Sequence, residues 1–371
     1  MRKLSVLILS ILMLTGCNAN NSATVTTESE ELPVVSSAEP TVEPIITEHK
    51  NNMTLEEKVG QLFMVRCDSI TTNDIKNMQP GGIIMFSSDF DNLTKDGVRN
   101  KINGFNNLSN ITPYIAVDEE GGTVVRVSSH KNLAPEKYES PQYYYNKGGM
   151  ELVLSNAAEK SDLLLSLGIN MNLAPVSDVS QDPNHFIYKR AFGKGAEETA
   201  DYVKKVVEVM EKHNITSCLK HFPGYGGNID THQYVAIDNR PLEQFRSADF
   251  LPFEAGIDAG ADFVLVAHNI VTAVDSDMPA TLSKPMHDIL RDELGFNGII
   301  ITDDMSMAAA ANYAEPYKTA VLAGNDMIIV TDFKAAYDEV YNAVKNGEIP
   351  ESVIDDAVHR ILTAKKEKGL I

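Results

Sequence analysis

Eight short apolar runs recur along the chain, at residues 62–65, 83–86, 114–117, 169–173, 216–219, 263–266, 299–302 and 327–330. Runs with no polar alternation read as strands covered on both faces, the mark of a parallel sheet wrapped by helices. Segments of helical period separate most of them; over residues 200–210, Val203, Val206, Val207 and Met210 share one face. Gly168, Gly260 and Gly324 each stand between a helical segment and the next run, where glycine takes the left-handed conformation that stops a helix. The pattern predicts an α/β fold. Local periodicity alone leaves an open doubly wound sheet and a closed (β/α)8 barrel as alternatives.

The polar residues at the ends of the runs favour closure. Asp118, Asp178, Lys220-His221, His268, Asp303-Asp304 and Asp332 stand at or just after successive run ends. A barrel brings all those ends to one mouth, where active sites lie, whereas an open sheet spreads them along an edge. The expectation is a single (β/α)8 TIM barrel spanning residues 53–371. It opens at Thr54-Leu55-Glu56-Glu57, which has capping-box spacing.

Arg2 and Lys3 precede an apolar stretch over residues 4–14 that closes in Leu14-Thr15-Gly16-Cys17. That stretch is too short for a permanent membrane helix and reads as a lipoprotein signal peptide, residues 1–17, with Cys17 as the lipidated residue. Residues 18–52, rich in Ser, Thr, Glu and Asn with Pro33, Pro40 and Pro44, read as a disordered tether. The expected location is the extracytoplasmic side of the cell membrane, held by the lipid anchor only. A formal charge of −20 disfavours nucleic acid as a partner. Cys67 and Cys218 lie in apolar segments and are expected as buried free thiols.

The densest polar stretch is Lys220-His221-Phe222-Pro223-Gly224-Tyr225-Gly226-Gly227-Asn228-Ile229-Asp230-Thr231-His232. Its glycines predict a loop free to move. Asp230 and His232 are spaced so that the carboxylate orients the imidazole and favours its protonated form, a proton donor near neutral pH. The stretch lacks the Gly-Lys-Ser/Thr ending of a phosphate-binding loop. His221, Asp230, His232 and His268 offer metal-ligand chemistry. Yet the first strand continues as Val65-Arg66-Cys67-Asp68, without the His-x-His usual in a barrel metallohydrolase, so no metal and no cofactor are expected. In Ile299-Ile300-Ile301-Thr302-Asp303-Asp304, the strand delivers a carboxylate at its end. Asp303, facing an acid across the mouth, has the layout of a retaining glycosidase nucleophile, while alternation turns Asp304 elsewhere.

Several motifs, taken in order, resemble glycoside hydrolase family 3, in its single-domain β-N-acetylglucosaminidase branch. They are Gly81-Gly82-Ile83-Ile84, Asp118-Glu119-Glu120-Gly121-Gly122, Asn172-Leu173-Ala174-Pro175-Val176-Ser177-Asp178-Val179, Arg190-Ala191-Phe192-Gly193, Lys220-His221-Phe222-Pro223-Gly224, Pro279-Ala280-Thr281-Leu282-Ser283 and Leu294-Gly295-Phe296-Asn297-Gly298. The resemblance implies Asp303 as nucleophile and His232, coupled to Asp230, as general acid/base. It implies Asp118, Arg190, Lys220 and His221 as ligands of the sugar hydroxyls and acetamido group. Only the resemblance names the sugar. The implied activity is removal of terminal β-linked N-acetylglucosamine (GlcNAc) from oligosaccharides, with muropeptides of peptidoglycan as the expected substrate. A phosphorylase or β-glucosidase of the same family and a non-catalytic sugar-binding lipoprotein are the alternatives. The sequence departs from the branch at Tyr225, where a second histidine is usual, at Thr123, where an arginine is common, and at Glu119, often a glutamine.

Overall fold

The structure, a computed structural model, describes residues 42–227, 236–311 and 313–371. A strand forms at each of the eight apolar runs: β1 Phe63–Arg66, β2 Gly82–Ile84, β3 Tyr114–Val117, β4 Met171–Asn172, β5 Cys218–Phe222, β6 Phe263–Val266, β7 Ile299–Thr302 and β8 Ile328–Val330. β8, β1, β2, β3 and β4 pair side by side in one parallel sheet, and β5, β6 and β7 in a second. Single parallel bridges join Met171 to Thr216 and Ile301 to Met327. A further parallel pair, Ile237–Asp238 with Ile270–Val271, lies outside the eight.

Two strands depart from the expected bounds. β4 is short, and Pro175, with no N–H to give a ladder, follows soon after it. β5 runs on through Lys220 and His221, which the sequence pattern places beyond its end. Polar side chains are tolerated there because carboxylates of neighbouring segments meet them.

Alternation sorts the core into two layers. Met64, Ile84, Tyr114, Ala116, Met171, Cys218, Phe263, Leu265, Ile299, Ile301 and Ile329 share one buried cluster, to which every strand contributes. Their neighbours, such as Ile83, Ile115, Val117, Leu219, Val264 and Ile300, pack outward against helices. The helix Ala196–Lys212 buries Val203, Val206, Val207 and Met210, as its period predicts. Gly168, Gly260 and Gly324 have φ of 87°, 91° and 118°, the left-handed stop expected of them. The capping box holds: Glu57 N donates to Thr54 Oγ1 (3.2 Å) and Thr54 N to Glu57 Oε2 (2.9 Å). Cys67 and Cys218 are buried free thiols.

The expected tether does not persist to residue 52. Val42–Asn52 is a helix, with Glu43 in its first turn and Lys50 in its last, complementing the helix dipole. Ile46, fully buried, packs in a cluster with Val358 and Leu362 of the C-terminal helix Glu351–Glu367. Composition hid this because one well-placed isoleucine supplies the anchor. The C-terminal helix also covers the N-terminal ends of the strands, where the buried Lys365 Nζ donates to Gln61 Oε1 at 2.9 Å and stands 5.4 Å from the Tyr114 ring centroid.

Candidate active site

The inward alternation of the strands continues past the apolar cluster. Arg66, Phe86, Asp118, Lys220 and Asp303 follow Met64, Ile84, Ala116, Cys218 and Ile301 by two positions, and all five border one cleft of about 590 Å³ at the C-terminal ends of the strands. Arg190 and His221 line it as well. Asp118, Arg190, Lys220, His221 and Asp303, expected as site residues, are thus brought together. Asp230 and His232 lie outside the described residues.

A buried charge network fixes the cleft floor. Lys220 Nζ lies 2.8 Å from Asp118 Oδ1 and 2.6 Å from Glu120 Oε1. Arg190 holds Glu120 in a fork, Nε to Oε2 at 2.9 Å and Nη2 to Oε1 at 2.7 Å. Burial alone raises the Glu120 carboxyl, but Arg190 and Lys220 outweigh it and hold the group well below the usual carboxylate range. Burial opposes the charge on Lys220 too, and Asp118 and Glu120 overcome it, raising that ammonium. The network presents permanently charged, pre-oriented groups to a polar ligand.

His221 joins this network to Asp178. Its Nδ1 stands 2.7 Å from Asp178 Oδ2, and the same oxygen accepts the His221 backbone N–H at 3.1 Å. Asp178 Oδ1 accepts from Tyr225 N at 2.7 Å. Glu120 and Asp178 have parts that sequence reasoning does not assign, although both stand in the family motifs. Glu120 follows Asp118 by two residues, a parity signal for the same mouth.

Asp303 is partly exposed, its N–H donates to Val266 O at 3.0 Å, and its Oδ1 accepts from Asp304 N at 2.9 Å. These bonds hold the carboxylate at the strand end. Asp304 accepts from Ser306 N through Oδ1 (2.9 Å) but also borders the cleft. His268 is fully buried, with Nδ1 2.7 Å from Thr281 Oγ1 and Nε2 3.0 Å from Asp304 O. Asp332 does not join the cleft lining; its Oδ1 accepts from Ala335 N at 3.1 Å and caps the following helix.

The freedom expected of the glycine-rich stretch is absent at its start. Gly224, Tyr225 and Gly226 are buried, and Gly224 N donates to His221 O at 2.8 Å. Tyr225 stands edge-on to the His221 ring, 5.2 Å between centroids. Arg240 ties the two sides of residues 228–235 together: Nη2 meets Asp238 Oδ2 at 2.8 Å and Gly224 O at 3.5 Å, and Nη1 meets Asp249 Oδ2 at 2.8 Å. Of the other departures from the branch, Thr123 borders the cleft. Glu119 is buried and accepts from the N–H groups of Arg126 (2.8 Å), Val127 (2.7 Å) and Ser128 (3.2 Å), shaping the turn after β3.

Residues 54–364 match the family model described as Glycosyl hydrolase family 3 N terminal domain. The chain belongs to glycosyl hydrolase family 3. Within the family it is similar to a beta-hexosaminidase of Hydrogenovibrio crunogenus, 32% identical over 308 residues that cover 78% of this chain and 85% of that protein. A beta-hexosaminidase of Xanthomonas campestris pv. campestris is 34% identical over 222 residues, covering 58% of this chain and 67% of that one. Among solved structures, a family 3 β-N-acetylglucosaminidase from Paenibacillus sp. FPU-7 matches with a TM-score of 0.80 and 30% identity, over 86% of this chain and 63% of its own. A beta-N-acetylhexosaminidase from Beutenbergia cavernae matches with a TM-score of 0.74 and 28% identity, over 85% of this chain and 99% of its own. The family 3 chain is a glycoside hydrolase, as the motif resemblance anticipates.

Proposed function

We propose that this family 3 hydrolase is a retaining β-N-acetylglucosaminidase that removes terminal β-linked GlcNAc, acting from a (β/α)8 barrel. Closure is supported by the continuous order of strand pairs and bridges, which leads from β1 through β8 and back to β1. The names of the similar hexosaminidases support the sugar.

The observation that carries the reading is one cleft shared by Asp303 and the Asp118, Arg190, Lys220 and His221 group. The latter bind hydroxyls and the acetamido group and place the anomeric carbon at Asp303. The Asp303 carboxylate attacks that carbon as the glycosidic bond breaks, and His232, coupled to Asp230, protonates the departing oxygen. Neutral His232 then takes a proton from water, which attacks the anomeric carbon, releases Asp303 and restores the original configuration. Binding alone requires neither an attacking carboxylate nor a proton donor.

Cys17 and the preceding apolar stretch support a lipid-anchored enzyme on the extracytoplasmic face of the membrane. That address favours peptidoglycan fragments as substrate. A chromogenic β-N-acetylglucosaminide, assayed beside the matching β-glucoside, tests the reading. Release from the first alone is expected; release from neither, or from the glucoside alone, contradicts it.

A further inference from the structure

Asp303 follows β7 and Asp118 follows β3, while Arg66 ends β1 and Lys220 lies on β5. In the barrel order proposed above, β7 and β3 stand on opposite sides of the mouth, and so do β1 and β5. The line from Asp303 to Asp118 therefore crosses the line from Arg66 to Lys220. A pyranose with its anomeric carbon at Asp303 and its far end at Asp118 has two free edges. One carries the acetamido group on C2, the other the C6 arm on C5. By the reading above, Arg190, Lys220 and His221 hold the acetamido edge, which turns the C6 arm toward β1 and β2.

That wall is Phe86 with two arginines. Arg66 Cζ lies 4.3 Å from the Phe86 ring centroid and Arg126 Cζ 5.2 Å, and all three residues border the cleft. A π face orients a guanidinium without neutralising it, as a carboxylate would. Among the described residues, the Arg66 side chain bonds only to Asp68, at 3.3 Å, and that carboxylate is half exposed, so solvent screens the pair. Arg126 meets Asp118 at 3.4 Å, an aspartate already paired with Lys220 at 2.8 Å. The Nε of each arginine is buried and has no hydrogen-bond partner among the described residues. A buried N–H without an acceptor costs free energy that a ligand oxygen recovers.

We propose that Arg66 and Arg126 make the C6 edge of the sugar site an oxyanion subsite, and that the enzyme takes terminal GlcNAc carrying a sulfate or phosphate ester at O6. Both esters present charged tetrahedral oxygens that a guanidinium binds in a fork, whereas a plain hydroxyl offers one acceptor oxygen and no charge. The assignment rests on the orientation of the sugar given under the proposed function.

Three substrates with one leaving group test it: 4-methylumbelliferyl β-GlcNAc, its 6-sulfate and its 6-phosphate. In wild type, kcat/KM for at least one ester is expected to match or exceed that of the parent, and the better of the two names the ester. Arg66→Gln should lower the ester-to-parent ratio about tenfold, the scale of one charge-assisted hydrogen bond. Arg66→Lys, which keeps the charge but not the fork, should fall between. The ratio compares substrates on one protein sample, so a general loss of folded enzyme leaves it unmoved. A wild type that cleaves the parent faster than both esters, or a ratio untouched by Arg66→Gln, overturns the subsite. Cleavage of none of the three removes the hydrolase reading beneath it instead.

Discussion

Arg190 Nη2 lies 2.8 Å from His221 Nε2. A guanidinium only donates, so Nε2 is the acceptor, and the ring proton sits on Nδ1, where it is donated to Asp178. The pair fixes both the tautomer and the plane of the imidazole at the cleft. Asp178→Asn keeps the shape but turns an amide N–H toward a former donor, either Tyr225 N–H or the ring. A loss of roughly tenfold to a hundredfold in kcat/KM is expected, smaller than that for an orienting carboxylate behind a catalytic histidine. Steady-state kinetics beside a circular-dichroism melt checks it; unchanged kcat/KM would detach His221 from substrate binding.

Glu120 is the counter-ion for two cations, the buried Lys220 and the part-buried Arg190. Replacing it with glutamine should cost about 3 kcal/mol, because Arg190 loses its partner and Lys220 keeps only Asp118. The pH sign comes from the depressed folded-state pKa. The ionised carboxylate contributes its full stability above about 4.5, the ordinary value, and loses it as the pH falls through the folded value. Denaturant melts across the acid range should show a shallower acid decline in Glu120→Gln than in wild type.

Lys365 is buried with the Tyr114 ring and Gln61, and desolvation pushes its amine down to about 7. Between that value and 10.5 the unfolded chain binds the extra proton, so stability rises with pH through this window, and below it the penalty is constant. Lys365→Met should be more stable than wild type at neutral pH. Its advantage should shrink by roughly 2 kcal/mol between pH 7 and 9. Urea unfolding at the two pH values measures the difference, and a pH-independent gap would contradict the buried neutral amine.

Arg240 carries the charge balance for Asp238 and Asp249 beside residues 228–235. Burial raises the Asp249 carboxyl to about 6, with Arg240 pulling against that rise. In Arg240→Met the rise is unopposed, so the variant should be destabilised by several kcal/mol at pH 8 and recover part of the loss near pH 5, where Asp249 takes up a proton. Thermal melts at both values check this; an equal deficit at both would mean that Asp249 does not carry the loss.

Strand positions and inward parity were legible because most runs are apolar on both faces and the chemistry begins where the run stops. Asp118, Lys220 and Asp303 follow from that rule alone. Arg190 does not, since it leaves a long connection and is held at the cleft by its fork on Glu120 and its bond to His221; the family motif, not the periodicity, pointed to it. Glu120 and Asp178 were visible as residues but not as partners, because hydrogen bonds across strands have no signature in sequence spacing. The pinning of Gly224 and Tyr225 was equally hidden, as glycine content reports permitted conformations and not the Arg240 and Asp178 contacts that choose one.

Asp303 as the covalent nucleophile is the central claim. Incubation with a 5-fluoro analogue of N-acetylglucosaminyl fluoride, with intact-mass and peptide mass spectrometry of the product, tests it by accumulating the glycosyl-enzyme. One glycosyl adduct per chain, on the peptide holding Asp303 and absent from Asp303→Asn, is the predicted result. An adduct on another residue, or Asp303→Asn hydrolysing GlcNAc substrates at the wild-type rate, would contradict it.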